Sequence, residues 1–262
     1  MNIIGIISEY NPFHAGHLHH IAETKKRFPD SIIVAVMSGN FVQRGEAAVL
    51  NKWDRAEIAV KNGVNLVVEL PTYYAVSAAP DFAKGAMDVL GQLHATHFSF
   101  GSEIDSPDAL SALSDFTGTE AYNKKVKEGL AKGLSYPAAT AAAGGPILPN
   151  ALLATEYLKH ANGICPILIP RASNHSSLEL HACASQENAP RDLPYPAKDT
   201  AEVPVYSSAK AIRHALSGSE KTSVLSAEKK LTELTGVNYI GLRSHRPQPD
   251  MRHLDSDRFP SS

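Results

Sequence analysis

Short apolar runs separated by helical segments constrain this chain more than any other feature. Ile3–Ile7, Ser31–Met37, Leu66–Leu70 and Thr96–Phe100 are continuously apolar or nearly so, and polar, glycine or proline positions close them. A strand that is apolar on both faces belongs in a parallel sheet covered on both sides. The intervening segments Leu18–Phe28, Asn51–Asn62 and Asp81–Leu93 have helical character and supply the cover, with Gly63 and Pro71 as stops. The class is therefore α/β. Right-handed crossovers bring every strand's carboxyl end to one edge. The polar segments starting at Ser8, Ser38, Glu69 and Gly101 are expected to converge there, where open α/β sheets bind ligands.

Beyond residue 105, Ser106–Lys132 reads as two helices and Ala138–Gly145 as a small-residue loop or helix start. Pro149–His160 reads as a helix, and Ile164–Ile169 as a fifth strand closed by Pro170 and Arg171. Ala184–Val203 is polar and proline-rich and is expected to be a mobile loop. Ser207–Leu216 is expected to be a helix opened by two serines. These boundaries give one domain over residues 1–216, a helical extension over 217–242 and a polar, disordered tail over 243–262.

Composition narrows the classes of function. No run reaches the roughly 18 apolar residues of a membrane span. The first apolar run has no basic segment before it and reads as a strand rather than a signal peptide. A cytoplasmic protein without membrane contact is expected. Cys165 and Cys183 lack metal-ligand spacing and read as cytosolic thiols. A net charge of −2 excludes a generally polyanion-binding surface, so any nucleic-acid contact needs a local basic patch.

The strongest chemical signal is His14-x-Gly16-His17, directly after the first strand and at the start of a helix. A helix N-terminus offers unpaired N–H groups and a positive dipole end to phosphate. Gly16 lets the backbone approach a ligand closely. Histidines three apart share a face of the first turn and can donate hydrogen bonds to phosphate oxygens as charge moves to a leaving group; the other reading is a pair that only caps and packs the helix start. His19 and His20 either face the same ligand or lie on the surface. Ser38–Gly45 reads as a polar loop after the second strand, which either sets Gln43 and Arg44 near a reacting phosphate or carboxylate or is purely structural.

With these motifs in view, the chain resembles the tRNA(Met) cytidine acetate ligase family of the HIGH-type nucleotidyltransferase superfamily. The matching words are Gly5–His17, Met37–Glu46, Lys52–Glu57, Val68–Pro71 and Phe100–Glu103, with weaker matches at Pro149-Asn150, Arg171 and Ser207–Arg213. The resemblance covers roughly residues 1–216 and implies a Rossmann-like HIGH-type nucleotidyltransferase fold, a parallel sheet of about five strands. It implies an ATP-dependent ligase. Acetate would be activated as acetyl-adenylate, and N4 of the wobble cytidine of elongator tRNA(Met) acetylated, with release of AMP and pyrophosphate.

The resemblance also assigns residues. The ATP-wrapping loop matches Ile7, Ser8, Glu9, Tyr10, Asn11, Pro12, Phe13, His14, Ala15, Gly16, His17, Leu18, His19 and His20. Gly101, Asn150 and Arg171 match further nucleotide contacts, and His14, His17, Gln43 and Arg44 are the expected catalytic set. Read from the residues alone, Gly101 is either an adenosine cradle or a turn, Asn150 either a nucleotide contact or a helix cap, and Arg171 either a phosphate grip or a surface residue. Ser207, Ser208 and Arg213 resemble a second phosphate-binding loop, with an ordinary N-cap as the other reading. Lys52 and Glu69 stay open between site and surface roles. Magnesium is expected to accompany the triphosphate, and no residue is assigned as a metal ligand. Lysines 124, 125, 127, 132, 210, 221, 229 and 230, with Arg213, are the basic groups available to tRNA. Family members are expected to carry more chain after the position matching Leu216. A small-molecule adenylyltransferase and a non-catalytic nucleotide binder are the alternative classes.

Overall fold

Strands buried on both faces demand two helical layers, and the computed structural model has them. It describes residues 1–169, 213, 232, 233 and 235–237. In chain order the elements are β1 (Ile3–Ser8), α1 (Ala15–Arg27), β2 (Ile32–Ser38), a 3-10 turn (Gln43–Gly45), α2 (Lys52–Lys61), β3 (Leu66–Leu70), α3 (Thr72–Ala75) and α4 (Ala79–Gln92). β4 (His97–Gly101), α5 (Pro107–Gly118), α6 (Glu120–Ala131), α7 (Tyr136–Ala142), α8 (Pro149–Lys159) and β5 (Cys165–Ile169) follow.

The five strands run in the order β3-β2-β1-β4-β5, all parallel. The chain winds outward from β1 to β3, then crosses back to β4. The winding therefore reverses between β1 and β4, and such a switch point opens a crevice at the strands' carboxyl ends. Ile6 lies opposite Ser99 in the β1–β4 pairing, so the strand ends at Ser8 and Gly101 flank that crevice.

Alternate residues of one strand enter different layers. Ala35 and Met37 of β2 pack with Phe13, Ile21, Ile58 and Ala59 on the α1–α2 side. Val36 packs on the other side with Phe82, Leu90, Leu110 and Tyr157 from α4, α5 and α8. Val237, from the segment expected as a helical extension, is buried in the α1–α2 layer.

The departures in element boundaries sit at helix starts. α1 begins at Ala15 rather than Leu18, because His14 caps it. α4 begins at Ala79, since Pro80 suits a first helical turn whose N–H groups need no intrahelical partner. Pro71 stops β3 but also caps the short α3, which the sequence pattern did not predict. Most of the segment read as a loop or helix start near residue 138 is α7, opened by Pro137. Cys165, expected as a thiol, is disulfide-bonded. No helix among the described residues is long and apolar enough to cross a membrane. The expected mobile loop, the 207–216 helix apart from Arg213, most of the extension and the tail lie outside the described residues.

Layer spacing depends on Gly5, where any Cβ would overlap the Leu90 side chain of α4. Overpacking of this kind costs about 1–3 kcal/mol. Gly5→Ala is expected to lower stability by that amount in urea titrations, and by less in a Leu90→Ala background. Equal costs in both backgrounds would show that the two residues are not coupled.

Candidate functional site

The β1–α1 connection is organised by two histidines that cap each other's backbone. His14 is the N-cap of α1, and its Nδ1 accepts the Gly16 N–H at 3.0 Å. His17, three residues on, returns the contact: its Nδ1 accepts the His14 N–H at 3.2 Å. This is a capping box made of imidazoles. The rings stack with centroids 3.8 Å apart. Gly16 is required by this arrangement, because a Cβ there would lie 2.9 Å from His14 Cε1. The sequence offered ligand approach as the reason for this glycine; the structure adds the packing of His14.

The cap determines the protonation of both rings. A backbone N–H can only donate, so each Nδ1 must carry a lone pair. Burial lowers the His14 pKa from 6.5 to about 4. Burial, with the charges of His14 and His20, holds His17 well below 6.5. Near neutral pH both rings are uncharged, so each carries its proton on Nε2, on the ring edge away from the cap. The pair therefore presents two N–H donors at the positive end of α1.

Below the cap the loop is packed rather than open. Tyr10 and Phe13 are fully buried, and their rings lie 5.0 and 5.5 Å from His17. Burial pushes the Tyr10 hydroxyl up to about 12, and its backbone takes φ of 46° in the left-handed region. Pro12 is buried and follows a cis peptide bond. Ile7 and Leu18 pack against opposite core layers. Asn11 turns inward, its Oδ1 accepting the Val49 N–H at 2.9 Å. His19 is half-buried. His20 points to the sheet: its Nε2 lies 2.7 Å from Ser99 Oγ, which lies 2.9 Å from Thr24 Oγ1. Burial, with nearby His19 and Arg27, lowers His20 to about 4.

Several contacts fasten this loop to its neighbours. Glu9 Oε1 accepts the Gln43 N–H at 2.8 Å, which brings the 3-10 turn beside the β1 loop. Of Arg44 the structure describes the backbone, inside that turn. The Asn11 carbonyl accepts a hydrogen bond from Arg213 Nη1 at 2.8 Å, so a helical residue far along the chain reaches the same loop. Arg55, which sequence reasoning did not assign to the site, is 0% exposed. Its guanidinium donates to the carbonyls of Glu9, Ser38, Gly39 and Leu50. The signal was present: Arg55 shares the buried face of α2 with Ile58 and Ala59, where a charge is out of place unless it holds something.

At the edge beside β3, Lys52 Nζ pairs with Glu69 Oε2 at 2.6 Å, and a Cβ on Gly39 would overlap the same carboxylate. Across the crevice, a Cβ on Gly101 would meet nothing among the described residues nearer than the Ile169 carbonyl at 3.8 Å. Glu103 then reaches α8, where its carboxylate accepts from the backbone and side-chain amides of Asn150. Lys124, Lys125, Lys127 and Lys132 are exposed on or just after α6. Among the described residues no group of three or more His, Cys, Asp or Glu side chains is placed to hold a metal ion. Arg171, Ser207, Ser208, Lys210, Lys221, Lys229 and Lys230 lie outside the described residues.

Comparison with known proteins agrees with this architecture. The chain is 43% identical over 160 residues to the tRNA(Met) cytidine acetate ligase of Fusobacterium nucleatum, a match covering 60% of this chain and 40% of that one. It is 36% identical over 258 residues to the ligase of the same name from Clostridium acetobutylicum, covering 92% of this chain and 61% of the relative. The chain thus spans between two-fifths and three-fifths of these relatives' length. Among solved structures, it resembles Thermotoga maritima TmcAL bound with alpha-thio ATP, at a TM-score of 0.64 and 31% identity, over 89% of this chain and 52% of that one. The model of one family, HIGH Nucleotidyl Transferase, matches residues 1–239, and with the histidine cap at the β1–β4 switch point this makes the chain a member of the HIGH nucleotidyl transferase family.

Proposed function

We propose that this chain binds ATP and activates acetate as acetyl-adenylate for acetylation of N4 of the wobble cytidine in elongator tRNA(Met). The observation that carries the reading is the reciprocal His14–His17 cap at the switch-point crevice. Support for ATP comes from the similarity to TmcAL, whose structure holds alpha-thio ATP, and support for the acceptor from relatives named tRNA(Met) cytidine acetate ligase.

In the first step an acetate oxygen attacks the α-phosphorus, and the bond to the β-phosphate bridging oxygen breaks. Negative charge moves onto pyrophosphate. The two Nε2–H groups and the N-terminus of α1 stabilise that charge without needing a proton transfer. In the second step the cytidine amine attacks the acetyl carbon, the bond to AMP breaks, and the amine loses a proton. The wobble base has to leave its stack for this attack. Gln43 and Arg44 are assigned to the reacting groups, since Glu9 ties their turn to the ATP loop. Arg171 is assigned to the nucleotide, and Ser207, Ser208 and Arg213 to a second phosphate contact. Arg213 already touches the Asn11 carbonyl. Magnesium would enter as a counter-ion of the triphosphate; among the described residues no cluster of three or more His, Cys, Asp or Glu is placed to hold it. The exposed lysines of α6 are candidate phosphate contacts for tRNA. The protein acts in the cytoplasm, where its tRNA substrate is found.

Supplying ATP and acetate is expected to give ATP–pyrophosphate exchange, and adding unmodified tRNA(Met) to give N4-acetylcytidine with AMP. Acetyl transfer from acetyl-coenzyme A without ATP consumption would overturn the reading. AMP transfer to a phosphorylated metabolite would move the protein to the small-molecule adenylyltransferases. Exchange is expected to fall roughly 100- to 1,000-fold in His14→Ala and in His17→Ala, with unfolding transitions retained; unchanged rates would remove the histidines from the mechanism.

The cap also predicts a pH dependence. The folded His14 value of about 4 lies below its ordinary 6.5. Its contribution to stability is therefore complete above pH 6.5 and is lost as pH falls toward about 4. Protonation of Nδ1 would also release the Gly16 N–H. His14→Asn, which caps without titrating, is expected to flatten this part of the stability profile. Identical profiles for the two proteins would show that the cap does not titrate.

A further inference from the structure

The loop after β4 carries Glu103, whose carboxylate lies against the first turn of α8. Glu103 Oε2 accepts the Ala151 N–H at 2.8 Å. Oε1 accepts the Asn150 N–H at 3.3 Å and its side-chain Nδ2 at 2.9 Å. A carboxylate offers only acceptors, so Asn150 must turn its NH2 toward Glu103 and its Oδ1 away. Asn150 is exposed, and no described group donates to that Oδ1.

Gly101, two residues before Glu103, supplies a second observation. Its backbone does not take a positive φ. Among the described residues, nothing approaches its missing Cβ closer than 3.8 Å. Neither conformation nor packing by the described residues demands a glycine at this strand end, beside the crevice, and its open face leaves room for a ligand to lie against the backbone.

We propose that Glu103 is a positioning residue for the nucleoside: it locks the Asn150 amide so that Oδ1 accepts a hydrogen bond from a nucleoside donor lying over Gly101. The inference rests on the nucleotide-binding reading above. Two donors have the right chemistry, a ribose hydroxyl and the exocyclic amine of adenine. With Gln at position 103 the lock is lost, because a Gln amide can donate as well as accept and lets Asn150 turn over.

The test measures binding of ATP, 2′-deoxy-ATP, 3′-deoxy-ATP and inosine triphosphate to the full chain, as wild type, Glu103→Gln and Asn150→Ala, with a thermal unfolding curve for each. Wild type is expected to bind ATP about tenfold more tightly than the one analogue that lacks the accepted donor, the equivalent of one hydrogen bond. That analogue identifies the donor as ribose or base. In both variants ATP affinity is expected to fall about tenfold and the preference over that analogue to disappear. Activity of Glu103→Gln at saturating ATP is expected to recover, so that KM moves and kcat does not. Lower unfolding temperatures with unchanged ATP affinity and unchanged analogue preference would make Glu103 a helix cap only and overturn the proposal. No binding of ATP by folded wild type would instead overturn the nucleotide reading itself, and this inference with it.

Discussion

A guanidinium taken wholly out of water has to find acceptors for its N–H groups, and Arg55 finds them in four backbone carbonyls. Those carbonyls belong to the loop after β1, the loop after β2 and the entry to α2. One side chain from α2 thus joins the two connections that build one wall of the crevice. A buried polar group left unpaired costs about 1–3 kcal/mol. The Ser38 and Gly39 carbonyls are buried with the guanidinium, so stranding them alone is a large share of a domain's net stability of about 5–15 kcal/mol. The loops that carry Tyr10 in its left-handed conformation and His14 at its cap are therefore set by a residue that itself lies out of reach of any ligand.

The same economy of groups governs the histidine pair. Ordinary capping residues satisfy the first N–H groups of a helix and contribute nothing more. His14 and His17 satisfy those groups with Nδ1 and keep Nε2–H for another partner. Burial keeps both rings uncharged, which allows them to stack at 3.8 Å without repulsion. Capping, tautomer and donor direction are thus one arrangement, and Gly16 is the residue that leaves room for it.

Distant parts of the chain close on this arrangement. Arg213 donates to the Asn11 carbonyl, Val237 enters the core layer beneath α1, and a Cβ on Gly236 would lie 3.3 Å from Ala15 Cβ. Residues well past β5 therefore contribute to the helix end that carries the histidine pair. On the other wall, Glu103 spans from the β4 loop to α8 and gives Asn150 a defined amide orientation.

The strands were legible in the sequence because a sheet buried on both faces writes unbroken apolar runs such as Ile32–Met37 into the chain, and the crossover rule then places their carboxyl ends together. The His14-x-Gly16-His17 spacing was legible for a similar reason: capping is local, and three residues bring its partners together. Helix starts were less so, since Pro71, Pro80 and Pro137 end one element or open another depending on what packs behind them. His20 shows the limit of local spacing. It sits one turn beyond His17, yet it bonds to Ser99, a choice made by a strand 79 residues away. Glu103 and Arg213 act through groups far from them in sequence, and so does Arg55 through Glu9, Ser38 and Gly39. The sequence by itself determined the layered α/β fold, the edge where the strands' carboxyl ends meet and the histidine pair, all of which follow from short-range periodicity. Only the tertiary structure decided which polar side chains hold that edge in shape, because a buried hydrogen bond is specified by where its two partners meet and not by either one alone.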